Sequence, residues 1–164
     1  MSSRSYFVAG KGRSSPTSQE LETLNAFVDT PAKERRRYSR VLLTRRGQSR
    51  FSVMDSQLES LAQSFGFHSV DLASASLEDQ KGIAASADVI VGATGAAMAN
   101  LAWARPGTRV GIWTTPTVNG AAWSHFGSLA HARGLDLLGL EIDPDCQRKV
   151  LTDFFSDWLS RLLD

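Results

Sequence analysis

The chain has 164 residues, 42% hydrophobic and 21% charged, which is the balance of one globular domain with a sizeable core. Its net charge is only +1, and its one cysteine, Cys146, excludes an internal disulfide or a thiolate metal cluster within one chain. No stretch of about 18 apolar residues is present, so no transmembrane helix is expected. The apolar patch in MSSRSYFVAGKGRSSP is too short for a secretory signal, and a reducing cytoplasm is the expected location.

Taken in order, Ser5–Ala9 reads as a short strand and Gly10–Ser15 as a loop. Leu21, Leu24, Phe27 and Val28 lie at helical spacing, and Pro31 ends that helix. Tyr38 or Ser39 opens a strand through Val41-Leu42-Leu43-Thr44 that ends at Arg45-Arg46-Gly47. Asp55 is the expected N-cap of a helix whose face is Leu58, Leu61, Ala62 and Phe65, stopped by Gly66. Phe67–Leu72 is a strand. Ser76 caps the next helix, with Asp79 at the capping-box position. Val89-Ile90-Val91 has the all-apolar character of a strand buried on both faces, and after a glycine turn Ala96–Trp103 reads as a helix stopped by Pro106-Gly107. Thr108–Trp113 is a strand, Asn119–Arg133 a helix ended by Gly134, and Leu135–Leu140 a strand. The last helix is expected to start at Asp143-Pro144 and to carry Val150, Leu151, Phe154, Phe155, Trp158, Leu159 and Leu162 on one broad stripe.

Strand alternates with helix about five times, the pattern of an α/β fold with an open, mostly parallel sheet and helices on both faces. Right-handed crossovers put every strand's carboxyl end on one edge, where such sheets bind ligands. That edge is expected to hold Arg45, Arg46, Asp71, Gly92–Gly95, Trp113–Thr115 and Glu141. Arginines, a helix N-terminus, an indole and hydroxyls suit a phosphate-bearing ligand with a flat ring. The stretch Ala87–Pro106, ADVIVGATGAAMANLAWARP, is the centre of this expectation. Its strand–glycine–helix order brings unpaired amides and a positive dipole end to one point, with Thr94 the expected N-cap. Taken by itself, an isolated Gly-x-x-Gly turn is more often a strand–helix turn that only packs.

The charge is unevenly spread. Residues 1–50 hold 11 basic and 4 acidic residues, a net +7, while residues 51–164 hold 7 and 13, a net −6. The cluster Lys33–Arg50 is rich in arginine, which suits bidentate binding of phosphate or carboxylate. Its aromatic interleaving is thin (Tyr38, Phe51) and no nucleic-acid motif is present, so Lys33–Arg40 reads as a solvated linker and no nucleic-acid partner is expected. His68, His125 and His131 have no ligand-like spacing, and surface or packing roles are expected for them.

A combination of motifs carries the reading further. An arginine pair follows a strand (Arg45, Arg46), and a further arginine precedes a helix (Arg50). Gln80 lies within a helix, and Gly92, Gly95 and Ala96 form a strand-to-helix turn. Asn100 lies six residues past Thr94, and Pro106-Gly107 precedes the next strand. Together these resemble the C-terminal catalytic region of glycosyltransferase family 61, which includes plant xylan-modifying transferases and bacterial capsular polysaccharide biosynthesis proteins. The resemblance covers roughly residues 40–140. It implies the Rossmann-like half of a GT-B-type transferase, over residues 39–164, behind an N-terminal extension over residues 1–38.

The implied reaction is transfer of a sugar, with inversion, from a nucleoside diphosphate (uridine diphosphate foremost) to a glycan hydroxyl. No metal or other cofactor is implied. The resemblance places the donor on Arg45, Arg46, Arg50, Gly92, Thr94, Gly95, Ala96, Asn100, Trp113 and Thr114. Arg45 and the Gly95-Ala96 amides would take the diphosphate, and Asn100, a turn or more down the helix, would hold the turn rather than the ligand. Three positions depart from the family pattern: its turn histidine is Thr94, an asparagine at a helix start is Met54, and an acidic residue in the following strand is Ile112. No catalytic residue is therefore assigned. Residues 1–38 are too few for a second lobe, so a homo-oligomer or a separate acceptor-binding chain is expected, with the sheet edge or the Trp158 stripe as the contact. The alternative is a non-catalytic interaction module descended from such a domain. An unrelated α/β enzyme of phosphorylated metabolites stands third.

Overall fold

A computed structural model describes residues 38–46, 52–115, 121–143 and 145–164. The expectations for residues 1–37, and the Arg50 and Pro144 positions, lie outside these. The elements run β1 (Arg40–Leu43), α1 (Val53–Ser64), β2 (His68–Val70), α2 (Leu77–Ser86), β3 (Val89–Ala93), a 3-10 helix (Ala96–Trp103), β4 (Arg109–Thr114), α3 (Ala121–Arg133), β5 (Asp136–Glu141) and α4 (Arg148–Leu163). The five strands form one sheet in the order β2-β1-β3-β4-β5, and every pairing is parallel. The α/β, Rossmann-like expectation therefore holds.

Alternation along the strands sorts the apolar residues into two cores. Leu42, Val89, Val91, Ala93 and Trp113 face α1 and α4. Val41, Leu43, Ile90, Val110 and Ile112 face α2, the 3-10 helix and α3. A strand covered on both faces has no polar side to show, which is why β3 is apolar throughout and all five of its residues are buried. The largest side chain of the first core is Trp158 of α4, fully buried among Phe155, Leu159 and Trp113. It fits because Gly111 of β4 lies beneath it: a Cβ there would come within 2.6 Å of the indole. The Trp158 stripe thus packs on the chain's own sheet and is not available to a partner. Of its members, Val150 is exposed, and Phe154 is half-buried.

Several boundaries move for physical reasons. Ser52, not Asp55, caps α1: its hydroxyl accepts from the Asp55 amide, and the Asp55 carboxylate accepts from the Ser52 amide, closing a capping box. The helix after β3 is 3-10, and its N-cap is Gly95 rather than Thr94. The Thr94 amide bonds the Trp113 carbonyl at 2.8 Å, so Thr94 still belongs to the sheet ladder and cannot open a helix. The last helix starts at Arg148, after Gln147. Asp143 instead builds a turn, its carboxylate accepting from Asp145 N at 2.9 Å and its carbonyl from Cys146 N at 3.0 Å. The second strand stops at Val70 because Asp71 caps a 3-10 turn, Leu72–Ser74, accepting from the Ala73 amide. Ser76 caps α2 as expected, with Asp79 taking the Ser76 hydroxyl. Gly66, at φ +83°, closes α1 in the left-handed region that favours glycine.

Candidate functional site

In the order β2-β1-β3-β4-β5 the strand sequence reverses between β1 and β3, and in open parallel sheets the carboxyl edge at that point is where ligands bind. The last rung joining the two strands pairs Leu43 with Gly92. Beyond it the chains part. The Thr44 amide turns to the Val70 carbonyl beside β2, at 3.0 Å, and the Thr94 amide turns to Trp113 of β4. The segment after β1 then leads to α1 on one face, while the segment after β3 leads to the 3-10 helix on the other. A crevice with two chemically different walls results. Gly92 sits at its floor, where a Cβ would lie 3.0 Å from the Leu43 carbonyl oxygen and run into the Met98 methyl.

One wall is built of charges. Asp55 and Glu59 of α1 are each only 1% exposed, so each carboxylate needs partners. Asp55 accepts from Arg45 Nη2 on both oxygens, at 2.9 and 3.0 Å, and also from the Ser52 amide and hydroxyl. Glu59 accepts from Arg46 Nε at 2.7 Å through Oε2 and from the Thr44 hydroxyl through Oε1. Thr44 in turn accepts from the Arg46 amide at 3.2 Å. Arg45 is largely enclosed, whereas the Arg46 side chain is 56% exposed.

The other wall is built of backbone. Gly95, the residue before the 3-10 helix, offers no capping side chain, and the first internal bond of that segment is Met98 N to Gly95 O. Ala96 is exposed and Gly95 half-buried, so small residues leave this helix start open to a ligand. Thr94 is 7% exposed beside it.

The remaining expected site residues are placed elsewhere. Trp113 is 2% exposed and stands edge-on to Phe155 and Trp158, so its ring is core and not part of the carboxyl edge. The sequence ends this strand on Trp113, whereas β4 runs on to Thr114 and is buried on both faces, which draws Trp113 inside. Thr114 ends β4, is 4% exposed, and accepts from Ile142 N through its carbonyl. Asn100 is buried, and its amide donates to the Ala97 carbonyl at 3.0 Å, holding the 3-10 helix. Gln80 donates to the Leu72 and Ala75 carbonyls and so ties the loop after β2 to α2. Met54 packs half-buried against the first core, and Ile112 is wholly inside the second. His68, His125 and His131 are exposed, His68 stacking on Tyr38.

Asp55 and Glu59, which hold the arginine pair of the candidate site, are residues that reading the sequence for motifs misses. Their signal is legible all the same: with Leu58 and Ala62 they fall on one helical stripe, which puts two acids four residues apart on the buried face of α1. Acids on a buried face require cations, and the arginine pair is the nearest supply.

The family model for glycosyltransferase 61 matches residues 4–111. The chain belongs to the glycosyltransferase 61 family. The family-61 match takes in β1 to the middle of β4, hence both walls of the crevice, and it stops one residue short of Ile112. No curated protein matches the chain. Membership in a glycosyltransferase family implies a sugar donor and an acceptor. Among the described residues no helix is long and apolar enough to cross a membrane, and no three His, Cys, Asp or Glu side chains are grouped to hold a metal ion.

Proposed function

We propose that this chain is the donor-binding unit of a sugar transferase and that the crevice between β1 and β3 takes the diphosphate of a nucleoside-diphosphate sugar, uridine-linked in the first instance. The observation that supports this is that Arg45-Arg46 and the uncapped Gly95-Ala96 backbone follow the carboxyl ends of the adjacent strands β1 and β3, at the switch point, in a family 61 chain. When a glycosidic bond to a nucleoside diphosphate breaks, negative charge builds on the departing phosphate. Fixed donors aimed at that charge lower the barrier. A guanidinium on one wall and free amides on the other supply such donors.

The acceptor is a glycan hydroxyl of a capsular or exopolysaccharide. Cytoplasmic nucleotide sugars set the location. Catalysis is impaired, because Thr94 has no group that titrates near neutrality where the family pattern has histidine. Isothermal calorimetry and thermal shift with uridine diphosphate and its sugars test the binding. Saturable heat and a raised melting temperature are expected. No heat and no shift at millimolar ligand would refute the reading.

One observation favours a second reading, a non-catalytic interaction module. Asp55 and Glu59 offset the formal charges of Arg45 and Arg46, so the wall carries less free positive charge than its arginines suggest. That reading predicts a stable oligomer or complex with no nucleotide binding, and a monomer by light scattering that binds uridine diphosphate refutes it.

A further inference from the structure

The two arginines of the pair are held in different ways. Arg45 gives its Nη2 to Asp55, and its Nε is buried without a hydrogen-bond partner among the described residues. Its carboxylate partner is also the third-position member of the capping box that Ser52 opens at the start of α1. Arg46 is gripped only from behind. Its amide donates to the Thr44 hydroxyl, that hydroxyl donates to Glu59 Oε1, and Glu59 Oε2 accepts from Arg46 Nε at 2.7 Å. The bonds close a ring through both the backbone and the side chain of Arg46. Thr44 and Glu59 are 5% and 1% exposed, so the ring is anchored in the protein and not in solvent. With Nε engaged, neither Nη of Arg46 has a partner among the described residues, and the side chain is 56% exposed.

We infer that the pair divides its work: Arg46 is the anion-binding guanidinium of the crevice, Thr44 and Glu59 are the positioning residues that aim it, and Arg45 is a structural lock on the start of α1. A guanidinium bound through Nε keeps the Nη edge as a two-pronged donor in a fixed plane, the geometry that a phosphate oxygen pair matches. Holding it in advance removes the cost of freezing a long side chain when the ligand arrives. Thr44 is the link that makes the aim depend on β1: its amide is tied to β2, its hydroxyl to both Arg46 and Glu59. The identity of the anion as a diphosphate rests on the donor-site reading above. The division of work between the arginines does not.

The test uses the full chain with 15N-labelled arginine, sodium pyrophosphate as the minimal probe and uridine diphosphate as the second. The Arg46 Nε–H resonance, assigned by its loss in Arg46→Ala, is expected to be protected from solvent exchange, to move on adding pyrophosphate, to weaken in Thr44→Val and Glu59→Gln, and to return in Thr44→Ser. Arg46→Ala is expected to weaken pyrophosphate binding by between about tenfold and a hundredfold, the range for bonds to charged groups. Thr44→Val weakens it by about three- to tenfold, and adds nothing in an Arg46→Ala background. An unchanged affinity in Arg46→Ala overturns the inference. So does an effect of Thr44→Val that persists without Arg46, or no pyrophosphate binding by the native chain. Pyrophosphate binding through Arg46 without uridine diphosphate binding supports the inference and removes the donor reading. Uridine diphosphate binding indifferent to Arg46 does the reverse.

Discussion

Replacing Asp55 by alanine removes the densest set of bonds at the crevice. The carboxylate accepts from Arg45 Nη2 at 2.9 and 3.0 Å, from the Ser52 amide at 2.9 Å and from the Ser52 hydroxyl at 2.7 Å, while only 1% exposed. Losing the capping half of this costs about 1 kcal/mol. Losing the partner of a buried arginine costs about 3–5 kcal/mol when the ion is fully enclosed. The Arg45 side chain is 21% exposed, so water recovers part of that, and an overall loss of about 3 kcal/mol is expected.

For a chain of this length that loss lowers the melting temperature by roughly 6–12 °C. Urea denaturation followed by tryptophan fluorescence reads it, since Trp113 and Trp158 are buried. Asp55→Asn keeps an acceptor for the Ser52 amide but not the charge, and should lose less than Asp55→Ala. The double variant Asp55→Ala with Arg45→Ala should be more stable than the sum of its parts predicts, because the stranded cation is gone. A loss below about 1 kcal/mol for Asp55→Ala, with strictly additive behaviour in the double variant, would refute the claim that this pair is a structural lock.

Two further outcomes follow from the packing and the surface. Gly111→Ala puts a Cβ 2.6 Å from Trp158 Cη2 and 2.7 Å from Leu162 Cδ2, so a destabilisation of about 1–3 kcal/mol is expected, with a changed near-ultraviolet circular dichroism signal as α4 shifts. Arg105→Ala breaks the pair with Asp88, but both side chains are more than half exposed, and equilibrium unfolding should show a loss under about 1 kcal/mol.

The resemblance to family 61 was legible from motifs that are local in sequence: the arginine pair after a strand, the glycine turn, and Pro106-Gly107. The parallel architecture was legible too, from strand–helix alternation and the unbroken apolar run of β3. Side-chain roles were harder to read. Thr94 reads as a cap because threonine follows a strand and precedes small residues, yet its amide stays in the ladder with Trp113. Trp113 reads as an edge residue because its strand seemed to end there, yet one more rung with β5, Thr114 to Glu141, draws it inside.

Periodicity, turn residues and motif order by themselves determined the strands and helices, the fold class and the family, because each is a property of neighbours along the chain. The strand order, the crevice where it reverses, and the ring of Thr44, Glu59 and Arg46 were decided only by the tertiary structure. Those depend on which carboxylates are buried beside which cations, and residues 13 to 15 positions apart meet only once α1 has packed on the sheet.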